Sequence, residues 1–436
     1  MARRTQGRGD GGVAGARCVI RRMVGPVKTA AAWAGLAALC LMAACRAPAG
    51  ADRSAAVAPL VLVSFDGFRW DYAERTQAPN LHRLAATGVH AERLIPVFPS
   101  KTYPGHYAIV TGLYPGHNGI ISNNMRDPGW PEAFRLSARA EVENGRWWGG
   151  EPIWVTAKRH GLRAGAYFWP GSEAPVRGVQ PDWWFPYDAG VAWEARVDAA
   201  LDWLTRPEPE RASLAALYFE EPNDSGHAHG PDAPETAEAT RRADAILGRL
   251  LDGLAARGVN ANLIVVSDHG MTATGDSRLI VLDDYVSLLP GELFEFGALG
   301  QIFPAAGREA QIVEALDRAH PELKVYRHGS VPERLHLFDH PRVAPILLVP
   351  SSGWEVVPRS ASGGTPPISA GDHGFEPSSP DMHGIFYAAG PGIAQGRAIG
   401  AVEQVDVYAL MCRLLGIEPA ANDGVWDRIA RAVRPN

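Results

Sequence analysis

Four short apolar runs punctuate this chain: LVLVSFDGF from Leu60, ASLAALYFEE from Ala212, NLIVVSDHG from Asn262 and HGIFYAAGP from His383. Each is rich in Val, Leu, Ile or Ala and lacks the polar alternation of a half-exposed strand. Such runs suit strands buried on both faces of a parallel sheet. Helix-like segments separate them: APNLHRLAATG, the apolar HYAIVTGL, a long amphipathic stretch from Pro234 to Arg257, and VDVYALMCRLLG near the C-terminus. Strands alternating with helices predict an α/β fold with a mostly parallel central sheet and helices on both faces. The stretch 283–370 is different, rich in Pro and Gly with brief strand-like pieces such as ILLVP. It reads as a smaller subdomain inserted into the main one, and no internal repeat is visible.

The N-terminus has its own pattern. Lys28 precedes the apolar run Thr29 to Ala44, which ends at Cys45. This run is short for a spanning helix and right for the apolar region of a signal peptide. Leu41-Met42-Ala43-Ala44-Cys45 is similar to a bacterial lipobox, whose cysteine is lipidated after cleavage; ordinary secretion with cleavage nearby is the alternative. Residues 1–22 are long for the basic region of a signal, so Met23 is a second candidate start. The expected organisation is a signal peptide over 1–44, a linker over 45–58 and a single catalytic domain over 59–436. The protein is then exported, as a periplasmic or outer-membrane lipoprotein anchored at Cys45. Of the four cysteines, Cys18 and Cys40 leave with the signal and Cys45 carries lipid, so Cys412 remains as a buried core residue.

Charge narrows the partners. The formal net charge is -6, but residues 1–44 hold seven Lys/Arg against one Asp, and the rest of the chain carries 35 basic against 47 acidic residues. A surface near -12 argues against duplex nucleic acid. A small phosphorylated substrate stays possible, because bound metal reverses the local field. The only expected membrane contact is the lipid anchor.

The chemistry lies where the apolar runs end. Asp66, Glu220/Glu221 and Asp268 each sit at the C-terminal end of such a run, where open parallel sheets place their ligands. His269 follows Asp268, His227 and His229 lie in the loop after Glu221, and His383 opens the last run. Asp and His are zinc ligands, and a hydroxyl near metal is a candidate nucleophile. Thr102, in PSKTYPGH, supplies that hydroxyl. Taken singly each has an ordinary explanation: turn residues for Asp66 and Asp268, an exposed loop for His227, a core histidine for His383, and a helix N-cap for Thr102. Pro104 supports a helix start there, and a helix N-terminus is also a phosphate site. Together they read as a two-metal phosphoryl-transfer site.

The ordered set KTYPGHYAIVTGLYPGHNGIISN, GEPIWVTA, FWPGSE, YFEEPNDSGHAHGP, VVSDHGM, GDHGF and DMHGIFYAAGPG resembles the nucleotide pyrophosphatase/phosphodiesterases of the alkaline phosphatase superfamily, over about residues 60–415. The resemblance implies an alkaline-phosphatase-like fold and two zinc ions, with Asp66, Thr102, Asp268 and His269 on one and His227 and His383 on the other. It also implies Thr102 as nucleophile. The family's remaining ligand, four residues before His227, is Asp; here Asn223 stands there, with Asp224 one place along. Asn binds metal through its amide oxygen but brings no charge, and Asp224 could replace it only if the loop slides. Asn123 resembles the family residue that donates to a non-bridging phosphate oxygen. Tyr103 and Tyr187 match aromatics that sandwich a nucleobase, and His373 falls near the site.

The implied reaction is hydrolysis of nucleotide phosphodiester or pyrophosphate bonds through a covalent nucleotidyl-threonine, releasing a nucleoside monophosphate. Competing readings are a phosphomonoesterase, a lysophospholipid phosphodiesterase, or a metal- or nucleotide-binding lipoprotein without turnover. A monoesterase needs extra positive charge for its additional phosphate oxygen, and Lys101 is the only such residue beside Thr102 in sequence.

Overall fold

Eight strands form the central sheet: β1 Leu60–Phe65, β2 Val89–Ala91, β3 Ala164–Tyr167, β4 Trp183–Trp184, β5 Leu214–Phe219, β6 Asn262–Val266, β7 Phe386–Ala389 and β8 Arg397–Ile399. Their spatial order is β8-β2-β7-β6-β1-β5-β3-β4. The structure is a computed structural model that describes residues 57–359 and 364–435. The expected signal over 1–44, Cys45 and all but the last two residues of the expected linker lie outside the described residues. Within the sheet β7 alone opposes its neighbours β6 and β2; the other pairings are parallel.

Both faces of the sheet are covered, as the unbroken apolar runs require. Along β1, Leu60 and Leu62 join one core while Val61, Val63 and Phe65 join another. The first core receives Tyr107, Ile109 and Val110 of helix α2 (Thr102–Thr111), Ile153, Trp154 and Val155 of α3 (Ile153–Arg159), and Val407, Leu410 and Met411 of α7 (Asp406–Leu415). The second receives Leu81 and Leu84 of α1 (Pro79–Thr87), Val197 and Leu201 of α4 (Trp193–Thr205), and one stripe of α6 (Pro234–Ala256), which follows the short helix α5 (Asn223–His229) in the chain. That stripe, Ala243, Ile246, Leu247, Leu250 and Leu254, follows the helical period. Cys412 is a free thiol fully buried on α7, and burial pushes its pKa up to about 12.

The Pro/Gly-rich stretch builds a second, antiparallel sheet. Leu293–Glu295, Gly300–Ile302, Ile346–Pro350 and Leu323–Arg327 lie side by side in that order. Ile302, Ile346 and Leu348 pack with Ile312 and Leu316 of the helix Glu309–Leu316 in a core of their own.

Candidate active site

The neighbouring strands β6, β1 and β5 end along one edge of the sheet, and three loops leave from there. Asp66 follows β1 directly, its N–H donating to Phe219 O at 2.9 Å, and Asn223 N–H donates to Asp66 O at 3.0 Å. Gly67 makes this closeness possible. It has φ +67°, and a Cβ there would lie 2.9 Å from Asn223 Cα.

Asp66, Asp268 and His269 form a first group with essentially no exposure (1%, 0% and 0%). Each has one polar atom fixed by a neighbour. Tyr218 Oη donates to Asp66 Oδ2 at 2.7 Å, Gly67 N–H donates to Asp268 Oδ1 at 3.1 Å, and His269 Nδ1–H donates to Gly270 O at 2.9 Å. The other atoms, Asp66 Oδ1, Asp268 Oδ2 and His269 Nε2, are buried without a hydrogen-bond partner. His269 Nε2 is 3.0 Å from Asp268 Oδ2 and 3.4 Å from Asp66 Oδ1. With Nδ1 protonated, Nε2 presents a lone pair to two carboxylates. Burial and the Asp268 charge push the Asp66 carboxyl well above its ordinary range. Three electron-rich atoms meeting away from water are unfavourable unless a cation lies between them, and an O, O, N donor set suits zinc.

A second group adjoins the first. His227 Nδ1–H donates to Gly371 O at 2.8 Å and His373 Nδ1–H to Ser100 O at 2.9 Å, leaving the two Nε2 atoms 3.1 Å apart. Backbone carbonyls on the far nitrogen are the usual partners of metal-binding histidines. Burial, with His269 and His227 adding, holds the His373 pKa well below the ordinary value and keeps the ring neutral. Asp372 is also in this group. The His269 and His373 rings stack at 3.5 Å, so the groups share a wall. Asn223 Oδ1 is buried and unpartnered, while its amide donates to Asp224 Oδ1 at 3.3 Å. Asp224 and His229 are exposed.

His383, expected beside His227, lies outside both groups, with its Nδ1 buried and unpartnered. Its Nε2–H donates to Pro377 O at 2.8 Å. It lies just ahead of β7, the strand that runs against the rest, so the strand-end rule that places Asp66 and Asp268 does not apply to it. The imidazole beside His227 is that of His373.

Thr102 also differs from the N-cap role considered for it. It is the first residue inside α2; Lys101 occupies the cap position, with no side-chain capping bond. The first turn of α2 sits tightly on Asp268, where a Cβ on Gly105 would lie 2.8 Å from Asp268 O. His106 is fully buried one turn on: its Nδ1 is 2.8 Å from Thr102 O and 3.2 Å from Asp268 Oδ2, and its Nε2 is 2.8 Å from Ser64 Oγ. Neither His106 nor Tyr218 stood out in the sequence. The helical spacing from Thr102 to His106 was the available signal. Tyr103 N–H donates to Asn123 Oδ1 at 2.9 Å, which orients the Asn123 amide so that its Nδ2 remains free to donate.

A family model, type I phosphodiesterase / nucleotide pyrophosphatase, matches residues 60–376, which contain all of these groups. The chain belongs to this family. It is 37% identical over 371 residues to human ectonucleotide pyrophosphatase/phosphodiesterase family member 5, covering 84% of this chain and 76% of that one. A venom phosphodiesterase of Naja atra is 38% identical over 399 residues, but the chain spans 46% of its length. Murine ectonucleotide pyrophosphatase/phosphodiesterase 5, solved as an inactive threonine-to-alanine variant in complex with AMP, superposes with a TM-score of 0.82 at 34% identity, covering 86% of this chain and all of that one. As a type I phosphodiesterase/nucleotide pyrophosphatase the chain is a hydrolase with an alkaline-phosphatase-like α/β fold.

In this family member Tyr103 packs 5.7 Å from both Phe134 and Trp148. Burial pushes its phenol up to about 12 against the pull of Arg139, with Tyr187 adding to the rise. Tyr187 is 39% exposed and lies edge-on to Phe168 at 5.2 Å and to Tyr218 at 6.1 Å, so an aromatic rim stands beside the Asp66 loop.

Proposed function

We propose that the chain hydrolyses nucleotide phosphodiester or pyrophosphate bonds with two zinc ions, through a covalent nucleotidyl-threonine on Thr102, and releases a nucleoside monophosphate. The observation that carries this reading is the convergence of metal-ligating side chains in two adjoining groups, the first packed against the opening turn of α2, the helix that begins at Thr102. Asp66, Asp268, His269 and Thr102 would hold the first ion, and His227, His373 and Asn223 the second, with Asp224 and Asp372 behind them. Bound zinc would supply the Lewis acidity that lowers the hydroxyl pKa and neutralises charge on the phosphoryl group.

The protein's own residues then have defined tasks. Thr102 Oγ attacks phosphorus in line, its proton passing to water, and the bond from phosphorus to the leaving oxygen breaks. Asn123 Nδ2 and the N–H groups of the first turn of α2 hold the non-bridging oxygens. Water next attacks phosphorus, the bond to Oγ breaks, and Thr102 regains a proton. His106 holds the Thr102 backbone against Asp268 throughout. Tyr103 and Tyr187 would stack on the base, which favours nucleotides without selecting one base. The relative solved with AMP, made inactive by loss of a threonine, supports both the substrate class and the nucleophile.

Export fits relatives named as ectonucleotide and venom enzymes. The Cys45 anchor rests on the sequence pattern alone, and no helix among the described residues is long and apolar enough to cross a membrane. The test is turnover of a nitrophenyl ester of a nucleoside monophosphate by zinc-loaded protein. Thr102→Ala should lower it at least about 1,000-fold; full activity of that variant would overturn the reading.

A further inference from the structure

The cation that precedes Thr102 in the chain, Lys101, is paired. Lys101 Nζ pairs with Glu295 Oε1 at 2.7 Å, the two side chains being 12% and 4% exposed. Glu295 lies on the strand Leu293–Glu295 of the inserted subdomain, yet it reaches both loops that carry Thr102 and Asn123. Ser122 Oγ donates to Glu295 Oε2 at 2.9 Å and Asn124 Nδ2 to Oε1 at 3.4 Å. Gln301 Nε2, on the next strand of the subdomain, completes the set. One buried carboxylate therefore holds the residue before the nucleophile and both neighbours of Asn123. The Lys101 stem also packs on Gly374, where a Cβ would lie 2.9 Å from Lys101 Cε, directly after His373.

We infer that Glu295 cancels the Lys101 charge and thereby keeps the site selective for singly charged phosphodiesters over doubly charged phosphomonoesters. The inference rests on the proposed reaction at Thr102. At neutral pH the transferred group of a diester carries one negative charge and that of a monoester nearly two, so an unpaired ammonium in this shielded position favours the monoester more. Glu295 is a positioning and charge-setting residue and does not touch the substrate.

The experiment compares nitrophenyl phosphate with a nitrophenyl ester of a nucleoside monophosphate, as the ratio of kcat/KM values. Glu295→Gln keeps the size of the side chain and frees the Lys101 charge; the monoester-to-diester ratio should rise about tenfold. Lys101→Met should lower it, and the double variant Lys101→Met/Glu295→Gln should return it to the wild-type value. A merely structural clamp would lower both activities together, so an unchanged ratio in all three overturns the inference. If Glu295→Gln does not fold, Lys101→Met and the double variant still decide the matter. Thr102→Ala in the same assay separates the two ideas: activity that persists without Thr102 removes the functional proposal, whereas Thr102-dependent activity with a fixed ratio removes only the role of Glu295.

Discussion

The Nε2 atoms of His227 and His373 face each other at 3.1 Å, with both Nδ1–H groups already committed to backbone carbonyls. If neither Nε2 carries a proton, that arrangement opposes two lone pairs. A shared cation turns the contact from repulsive to favourable.

His373→Ala should therefore lower affinity for one zinc ion by at least about 100-fold and leave the other bound. His383→Ala, whose ring bonds to Pro377 O, should retain both ions. Metal stoichiometry after dialysis against a graded chelator measures this directly, and loss of zinc from the His383 variant alone would reverse the assignment.

Asn223 supplies a buried amide oxygen where a carboxylate would bring charge. Asn223→Asp should tighten zinc at the second group about tenfold, and Asn223→Ala should loosen it. Competition with a fluorescent chelator reads both. Equal affinity in wild type and both variants would leave Asn223 out of the metal shell.

Gly105 lets α2 lie against Asp268. Gly105→Ala places a methyl 2.8 Å from a backbone oxygen, so the helix must move and carry Thr102 with it. The expected loss is about 1–3 kcal/mol of stability and roughly 100-fold in kcat, with a smaller change in KM. Unchanged kcat would show that the closeness of the helix does not position the nucleophile.

His340 gives a pH signature away from the metal groups. Burial, with Arg342 adding, holds its pKa down to about 4, and its Nδ1 accepts the Arg342 N–H at 3.2 Å. The unfolded ring protonates near the ordinary value, about 6.5, so the unfolded state takes up the proton first. Stability from this residue is present above pH about 6.5 and is lost as pH falls toward about 4. Melting curves at pH 7.5 and 5 should show a smaller acid loss for His340→Gln than for wild type; equal losses would count against the linkage.

Much of the site could be read from sequence because Asp66 and Asp268 end unbroken apolar runs, and such runs become central parallel strands. His373 escaped that logic. It reaches His227 because Gly371–Asp372 pairs antiparallel with Thr272–Ala273, just downstream of His269. A two-residue ladder leaves no periodicity to detect. Thr102 looked like a cap because the run Lys101-Thr102-Tyr103-Pro104 leaves the helix start ambiguous by one position, and only backbone geometry moves the cap to Lys101. Glu295 was invisible for another reason: its partners Lys101, Ser122 and Asn124 lie far away in the chain, and nothing in EFGALG marks it.

That late ladder has a consequence for biogenesis. Asp66, Asp268 and His269 are all present once the chain has been made to residue 269, whereas His373 arrives only after the whole inserted subdomain. The two halves of the centre therefore come together at different moments, and the proposed ion between the imidazoles would be captured only by a nearly finished polypeptide.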